Sequence, residues 1–324
     1  MKILVVGASG HVGRLVVQRL LDAGHTVVGI DRQPWPEAPG ALDLCVSDLL
    51  KRGAEDQFRT RRPEVVVHMA TLTHLLAGRE ERARVNLQGA QALLAHCAQY
   101  SVRRLIYVGH HTFYGASPDA PLYHREDEAP AGLGVSPELA DIMAADLYVS
   151  GAFWRQPGLE LTLLRPCYSL GPSGKGALAS LLLGARVPRV LGFDPLFQFM
   201  HEEDLAEAVV TAVERAPRGI FNVAGPAPLP LSTIVERTGR VSMAVPEALH
   251  GKALGLLGVA VAAEGATSHL KYPVVVDGSA FREATGFEPT VDALTVLDGF
   301  AAANPSGHPG TGGHPSTSGP EPSD

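Results

Sequence analysis

Six short apolar runs punctuate the first half of the chain, at residues 2–6, 26–30, 43–46, 64–68, 104–108 and 160–164. They are rich in Val, Ile and Leu and too short for helices, so each predicts a strand buried on both faces. Between them the period changes. Val12, Leu15, Val16, Arg19 and Leu20 keep helical spacing, and Gly24 suits a C-terminal stop. From Val85 to Tyr100, the residues Leu87, Ala90, Leu94 and Ala98 share one helical face, and Ser136-Pro137 reads as the cap and first position of a helix running to about Arg155. Strands alternating with helices predict an α/β fold, a doubly wound parallel sheet covered on both sides.

After Arg165-Pro166 the alternation loosens. Residues 167–199 and about 226–300 are rich in Gly and Pro and predict a smaller C-terminal substrate lobe. Between these segments Glu203 to Glu214 reads as a helix and Gly219 to Val223 as a strand rejoining the main sheet. Residues 1–166 plus about 200–225 then make the main domain, and the Pro-, Gly- and Ser-rich tail 304–324 is expected to be disordered.

A chain of 324 residues can bury a sizeable core. Its 27 basic against 34 acidic side chains, a formal charge of -7 with no basic stripe, argue against nucleic acid as a partner. Cys45, Cys97 and Cys167 lie far apart without metal-site spacing and read as reduced, buried thiols, so no metal is expected. The first strand begins at residue 2, and the longest apolar stretch, around Ala253 to Ala263, is too short to span a bilayer. The expectation is a cytoplasmic protein without a membrane partner.

The candidate chemistry starts at Gly7-Ala8-Ser9-Gly10-His11-Val12-Gly13, directly after Ile3-Leu4-Val5-Val6. In a strand–turn–helix unit, Gly7 permits the tight turn, Gly10 lets a phosphate approach the backbone and Gly13 lets the helix pack close on the strand. The first-turn N–H groups then face the anion. Asp31 ends the next apolar run about 20 residues on, where a carboxylate accepts hydrogen bonds from an adenosine ribose. The same acid repels a 2′-phosphate, so NAD is expected rather than NADP, with Arg32 beside it softening the preference. A plain strand–helix turn with a solvated acid nearby would show the same glycines, but not both strands, helix and acid in register.

With these pieces placed, the chain resembles the extended short-chain dehydrogenase/reductases, the group of NAD-dependent epimerases and dehydratases. The marks run from Met1 to about Ala303: the glycine turn, Asp48-Leu49, Val67-His68-Met69-Ala70, Asn86-Leu87-Gln88-Gly89-Ala90, Tyr114-Gly115, Leu164-Arg165-Pro166, His201-Glu202-Glu203-Asp204-Leu205-Ala206 and Phe221-Asn222-Val223-Ala224-Gly225. The resemblance implies a Rossmann-like sheet. It also implies a cofactor held by Gly7, Ser9, Gly10, His11, Val12, Gly13, Asp31 and Arg32, with Asp48 and Leu49 at the adenine. Met69, Ala70 and Thr71 would line the phosphates and nicotinamide ribose, and Asn86 and Pro166 complete the candidate set. Asn86 serves equally as a helix cap, and His68 as a satisfied strand-end histidine. Members of the family often pair through the helices matching 85–100 and 137–155, which makes a homodimer an expectation.

The active site departs from the family. Its chemistry uses a Tyr acid/base with a Lys four residues later, and the spacing back from Leu164-Arg165-Pro166 puts that pair near Glu138 and Ile142. No lysine lies between Lys51 and Lys175; Tyr148 is followed four residues on by Ala152, and Tyr123 by Asp127. His110 stands at the place of the family's substrate-binding Ser or Thr, within Gly109-His110-His111-Thr112. An imidazole there would exchange protons near neutral pH, with Glu138 or Tyr114 as helpers, and strand parity would turn only one of the two histidines toward the cofactor; equally, the paired histidines would fill polar space in a site that no longer reacts. Glu138 alternatively suits any helix start, by the helix dipole. Phe197 occupies the place of an Arg that grips a sugar-nucleotide diphosphate, which favours a smaller or less charged substrate, unless Arg186 and Arg189 nearby compensate. Two functions stay open: an enzyme passing hydride to or from a small carbonyl or alcohol substrate, and a non-catalytic NAD(H)-binding sensor or interaction protein.

Overall fold

The computed structural model describes residues 1–73, 79–130, 139–184, 186–247 and 266–305. Its strands are, in chain order, β1 (Lys2–Val6), β2 (Thr26–Asp31), β3 (Asp43–Val46), β4 (Val65–His68), β5 (Arg104–Val108), β6 (Glu160–Pro166), β7 (Tyr168–Leu170), β8 (Arg186–Val190), β9 (Leu196–Phe197), β10 (Phe199–His201), β11 (Gly219–Val223), β12 (Leu229–Pro230) and β13 (Val241–Val245). Seven of them form one sheet in the order β11-β6-β5-β4-β1-β2-β3, all parallel. This is the doubly wound, Rossmann-like arrangement, and the chain order reverses between β1 and β4.

The apolar runs are continuous because both faces are covered. Ile3 and Val5 point to one side, among Val16, Val17 and Leu20 of the helix His11–Asp22 and Val209 and Val213 of the helix Glu202–Arg215. Leu4 and Val6 point to the other, among Phe58, Leu93, Leu94 and Cys97. Each such side chain, fully buried, contributes ~1.5–3 kcal/mol. A separate cluster, with Leu178, Leu182, Phe197, Phe199, Ile234 and Phe300, joins helices and short strands from after residue 166. The pairs there are β7 with β10, β9 with β12, and β8 with β13.

Two boundaries differ from the pattern-based expectation. The helix placed at Val85–Tyr100 starts earlier: Arg79–Ala83 leads into a wide π-helical turn, Arg84–Gln88, and then Gly89–Gln99. Arg79-Glu80-Glu81-Arg82 has no apolar stripe to announce it. Of the helix expected from Ser136, Ala140–Ser150 and Ala152–Arg155 are seen, while Ser136, Pro137 and Glu138 lie outside the described residues, as do the apolar stretch 253–263 and the tail from 306. Cys97 and Cys167 are buried free thiols as expected; Cys45 is only partly buried, because β3 is an edge strand. No helix among the described residues is long and apolar enough to cross a membrane.

Candidate functional site

The turn after β1 is built by exclusion of side-chain atoms. Gly7 has φ +90, and a Cβ there would stand 2.9 Å from the Met69 carbonyl carbon. A Cβ on Gly13 would stand 2.1 Å from the Gly7 carbonyl oxygen, so the helix begins pressed against the strand end. The Arg14 N–H closes on the Gly10 C=O at 2.9 Å, leaving His11, Val12 and Gly13 to supply the helix's first-turn N–H groups at the rim. Asp31, at the tip of β2, accepts the Ser9 N–H at 2.9 Å through Oδ2 and the Gln33 N–H at 2.9 Å through Oδ1. The two backbone contacts tie the turn to β2 and leave the carboxylate lone pairs for a further donor. The His11 Nε2 lies 2.9 Å from Glu202 Oε1, linking the turn to the helix Glu202–Arg215.

A cleft opens over the C-terminal ends of β1 to β4. Gly7, Gly10, Asp31, Arg32, Asp48, Leu49, Met69, Ala70 and Thr71, all singled out in the sequence, line it together. Ser9, His11, Val12 and Gly13 support the turn behind it. Residues not singled out in the sequence also line it, notably Ser47, Leu72 and Arg84, together with the strand-end His68. Arg84 donates to Asp48 Oδ2 at 2.8 Å and to Glu81 Oε2 at 3.0 Å, and Arg32 donates to the same Glu81 carboxylate. Burial of Asp48 works against its charge, but the Leu50 N–H and Arg84 outweigh it and hold the carboxyl below its usual value. His68 is sealed at the floor and stacked on Tyr107 with centroids 4.8 Å apart; burial pushes its pKa to about 4, so it is neutral.

Asn86 neither lines the cleft nor caps a helix. It is fully buried in the π turn, where its Oδ1 accepts the Leu72 N–H at 2.8 Å and its Nδ2 donates to the Leu72 C=O at 3.1 Å and to Asp141. Asp141 in turn pairs with buried Arg82. Asn86 therefore positions the cleft wall from behind. Only the three-dimensional path of the chain reveals this, because Leu72 is 14 residues away.

The candidate catalytic residues His110 and Tyr114 lie outside the cleft lining, where β5 and β6, hydrogen-bonded neighbours, run out together. The expected strand parity does not apply there. β5 stops at Val108 and a 3-10 turn begins at His111, so both imidazoles gather on one side, centroids 4.4 Å apart. The His110 Nδ1 lies 2.8 Å from Thr112 Oγ1, and burial drives its pKa down to about 3. That direction runs against the expectation of a group that exchanges protons near neutrality. His111 is fully buried, its Nδ1 3.1 Å from the Pro166 C=O, and is driven well below its usual range in the same way. Pro166 is thereby a support for His111, outside the cleft lining.

Tyr114 is corrected too. Its hydroxyl donates to Asn222 Oδ1 at 2.8 Å and accepts from Arg165 at 2.9 Å, inside a network closed by the buried Arg165–Asp146 pair at 2.8 Å. No proton is left for a substrate. Ile142, near which the sequence spacing put the family's lysine, is buried in the core. The residue the sequence reading missed is Tyr168, the first residue of β7. Its ring stands edge-on to both histidines, 5.4 Å from His110 and 4.4 Å from His111, and stacks on Phe197 at 5.7 Å. It is partly buried, its hydroxyl has no hydrogen-bond partner among the described residues, and burial pushes its phenol pKa up. A tyrosine directly after Arg165-Pro166-Cys167 was the available signal. Arg189 is committed to Asp194 at 3.2 Å and to Ser242 at 2.6 Å, and Arg186 is exposed on β8.

A parallel sheet with a glycine turn, an acid at the tip of β2 and a cleft over the strand ends defines a dinucleotide-binding protein class. Residues 3–224 match the NAD dependent epimerase/dehydratase family, and the chain belongs to that family. It is 26% identical over 317 residues to an uncharacterized protein of Mycobacterium tuberculosis, covering 92% of this chain and 82% of that one. It is 29% identical over 262 residues to a 3-diazoavenalumate denitrifying reductase of a Streptomyces species, covering 76% of this chain and 83% of that one. Among solved structures, the Thermus thermophilus UDP-glucose 4-epimerase in complex with NAD superposes with a TM-score of 0.74 at 23% identity, covering 94% of this chain and 98% of that one. At that identity the likeness establishes the fold.

Proposed function

We propose that this chain is an NAD(H)-binding oxidoreductase of the epimerase/dehydratase family that acts on a small carbonyl or alcohol substrate through an acid/base group other than Tyr-x-x-x-Lys. The observation that carries the reading is the cradle at Gly7 and Gly13, which any Cβ would fill, combined with Asp31 at the ribose position. These residues fit an adenine dinucleotide: first-turn N–H groups for its pyrophosphate, Asp31 for a ribose, Asp48 and Leu49 toward the adenine. Asp31 favours NAD over NADP. When bound, NAD supplies a hydride acceptor, and in reduced form a donor.

The chain's own part is to place the substrate and to move a proton. Tyr168 is the candidate donor, since its hydroxyl has no hydrogen-bond partner among the described residues and its ring stands against both histidines. His110 and His111, as neutral rings held by Thr112 and Pro166, fix the tyrosine's orientation. Phe197 behind it, in place of a guanidinium, supports a substrate without a diphosphate. A reductase among the relatives is in keeping with this chemistry.

A second reading, a non-catalytic NAD(H)-binding sensor, is favoured by Ile142 in the core near the place expected for the lysine and by histidines held neutral. One experiment separates the two. NADH oxidation is followed across a panel of aldehydes and ketones, with UDP-glucose included, for the wild type, Tyr168→Phe and His110→Ala. The enzyme reading expects turnover of a phosphate-free carbonyl, with kcat falling ~100-fold or more in Tyr168→Phe while the affinity for NADH holds. Tight NADH binding without turnover of any compound supports the sensor.

A further inference from the structure

The cleft beside Asp31 carries two guanidiniums, Arg32 and Arg84, and one carboxylate binds both. Glu81 Oε2 accepts from Arg84 Nε at 3.0 Å, and Oε1 accepts from Arg84 Nη2 at 3.2 Å and from Arg32 Nη1. The remaining Arg84 nitrogen, Nη1, donates to Asp48 Oδ2 at 2.8 Å. Three carboxylates, Asp31, Asp48 and Glu81, thus outweigh two guanidiniums at this edge. With Glu81 removed the charges balance, Arg32 loses its Glu81 bond, and Arg84 keeps Asp48 through Nη1 while its Nε and Nη2 are freed from Glu81.

The fold gives no reason for Glu81. Its side chain is 41% exposed, and ion pairs of that exposure contribute little to stability. What the pairing does is occupy donors that stand where a ribose would lie. Two adjacent guanidinium forks are the arrangement that takes a phosphate bidentately.

We infer that Glu81 is a selectivity residue for the dinucleotide. By holding Arg32 and Arg84 it prevents them from receiving a 2′-phosphate, and it adds its own negative charge to the repulsion from Asp31. The inference rests on the dinucleotide reading proposed above. Glu81 is ionised at every working pH, because its bonds to Arg84 and Arg32 hold its pKa down to about 2, so the barrier does not relax near neutrality.

The test is equilibrium binding of NADH and NADPH, followed by cofactor fluorescence at low and at high salt, for the wild type, Glu81→Gln and Glu81→Ala. The wild type is expected to prefer NADH. In both variants the ratio of the NADPH Kd to the NADH Kd is expected to fall about tenfold at low salt and by less at high salt. An unchanged ratio, including a parallel weakening of both cofactors, overturns the inference, since Glu81 would then only hold the cleft wall. A wild type that binds NADPH as well as NADH overturns it while leaving the dinucleotide reading intact. A wild type that binds neither overturns both.

Discussion

His68 shows how one residue sets a property of the whole protein. It is buried at the cleft floor against Tyr107, with a folded pKa of about 4 against about 6.5 for a free imidazole. Between these values the unfolded chain binds the proton and the folded chain does not. Stability is therefore unaffected by this residue above about pH 6.5 and is lost as pH falls from there toward 4, by roughly 3 kcal/mol for one such group. His110, at about 3, acts in the same direction. Thermal melts between pH 7.5 and 4 are expected to show the Tm falling steeply below 6.5, and His68→Phe is expected to flatten part of that fall. A Tm that holds or rises on acidification would refute the buried, neutral assignment. Some residues were readable before any fold was known, and others were not. Gly13 and Asp31 depend on contacts within a strand–turn–helix–strand unit, and Gly7 on the positive φ of its turn, all of which spacing encodes. Tyr168, Glu81 and Arg84 depend on which chain ends the sheet brings together, which spacing does not encode.

At the scale of elements, the strands of the central sheet were legible because a strand buried on both faces leaves an unbroken apolar run. The ends were less so. Asp146 in the helix Ala140–Ser150 and Arg165 in β6 form a buried pair that locks this helix to the sheet beside the site, with Tyr114 attached. Burial pushes the Asp146 carboxyl up, and Arg165 works to keep it charged. Asp146→Ala leaves a buried guanidinium without its partner and is expected to cost about 3–5 kcal/mol in urea denaturation. The double replacement Asp146→Leu with Arg165→Met is expected to recover much of that loss. A single substitution costing less than about 1 kcal/mol, the size of an exposed pair, would show that the pair is solvated. The wide π turn at Arg84–Gln88 is a second element invisible to periodicity. It turns Arg84 to the cleft and Asn86 inward to clasp the Leu72 backbone, so one irregular turn serves both the lining and its support.

At the scale of the whole molecule, the sheet places the glycine turn, Asp31 and the cleft at one end of β1 to β4, and His110, His111 and Tyr168 at the same end of β5 and β6. Strand order alone thus lays out a path from the adenosine side to the candidate reacting centre, with the crevice at the reversal between β1 and β4. No lysine lies between Lys51 and Lys175, and the proposed phenol, Tyr168, stands at the start of β7. A dinucleotide at the opening turn is the premise on which every proposed role depends. Calorimetric titration of NADH into the purified wild type is expected to show saturable binding of one molecule per chain, weakened about tenfold or more in Asp31→Ala, where a charged hydrogen-bond acceptor is lost. No binding of NAD or NADP, in either oxidation state, would contradict it.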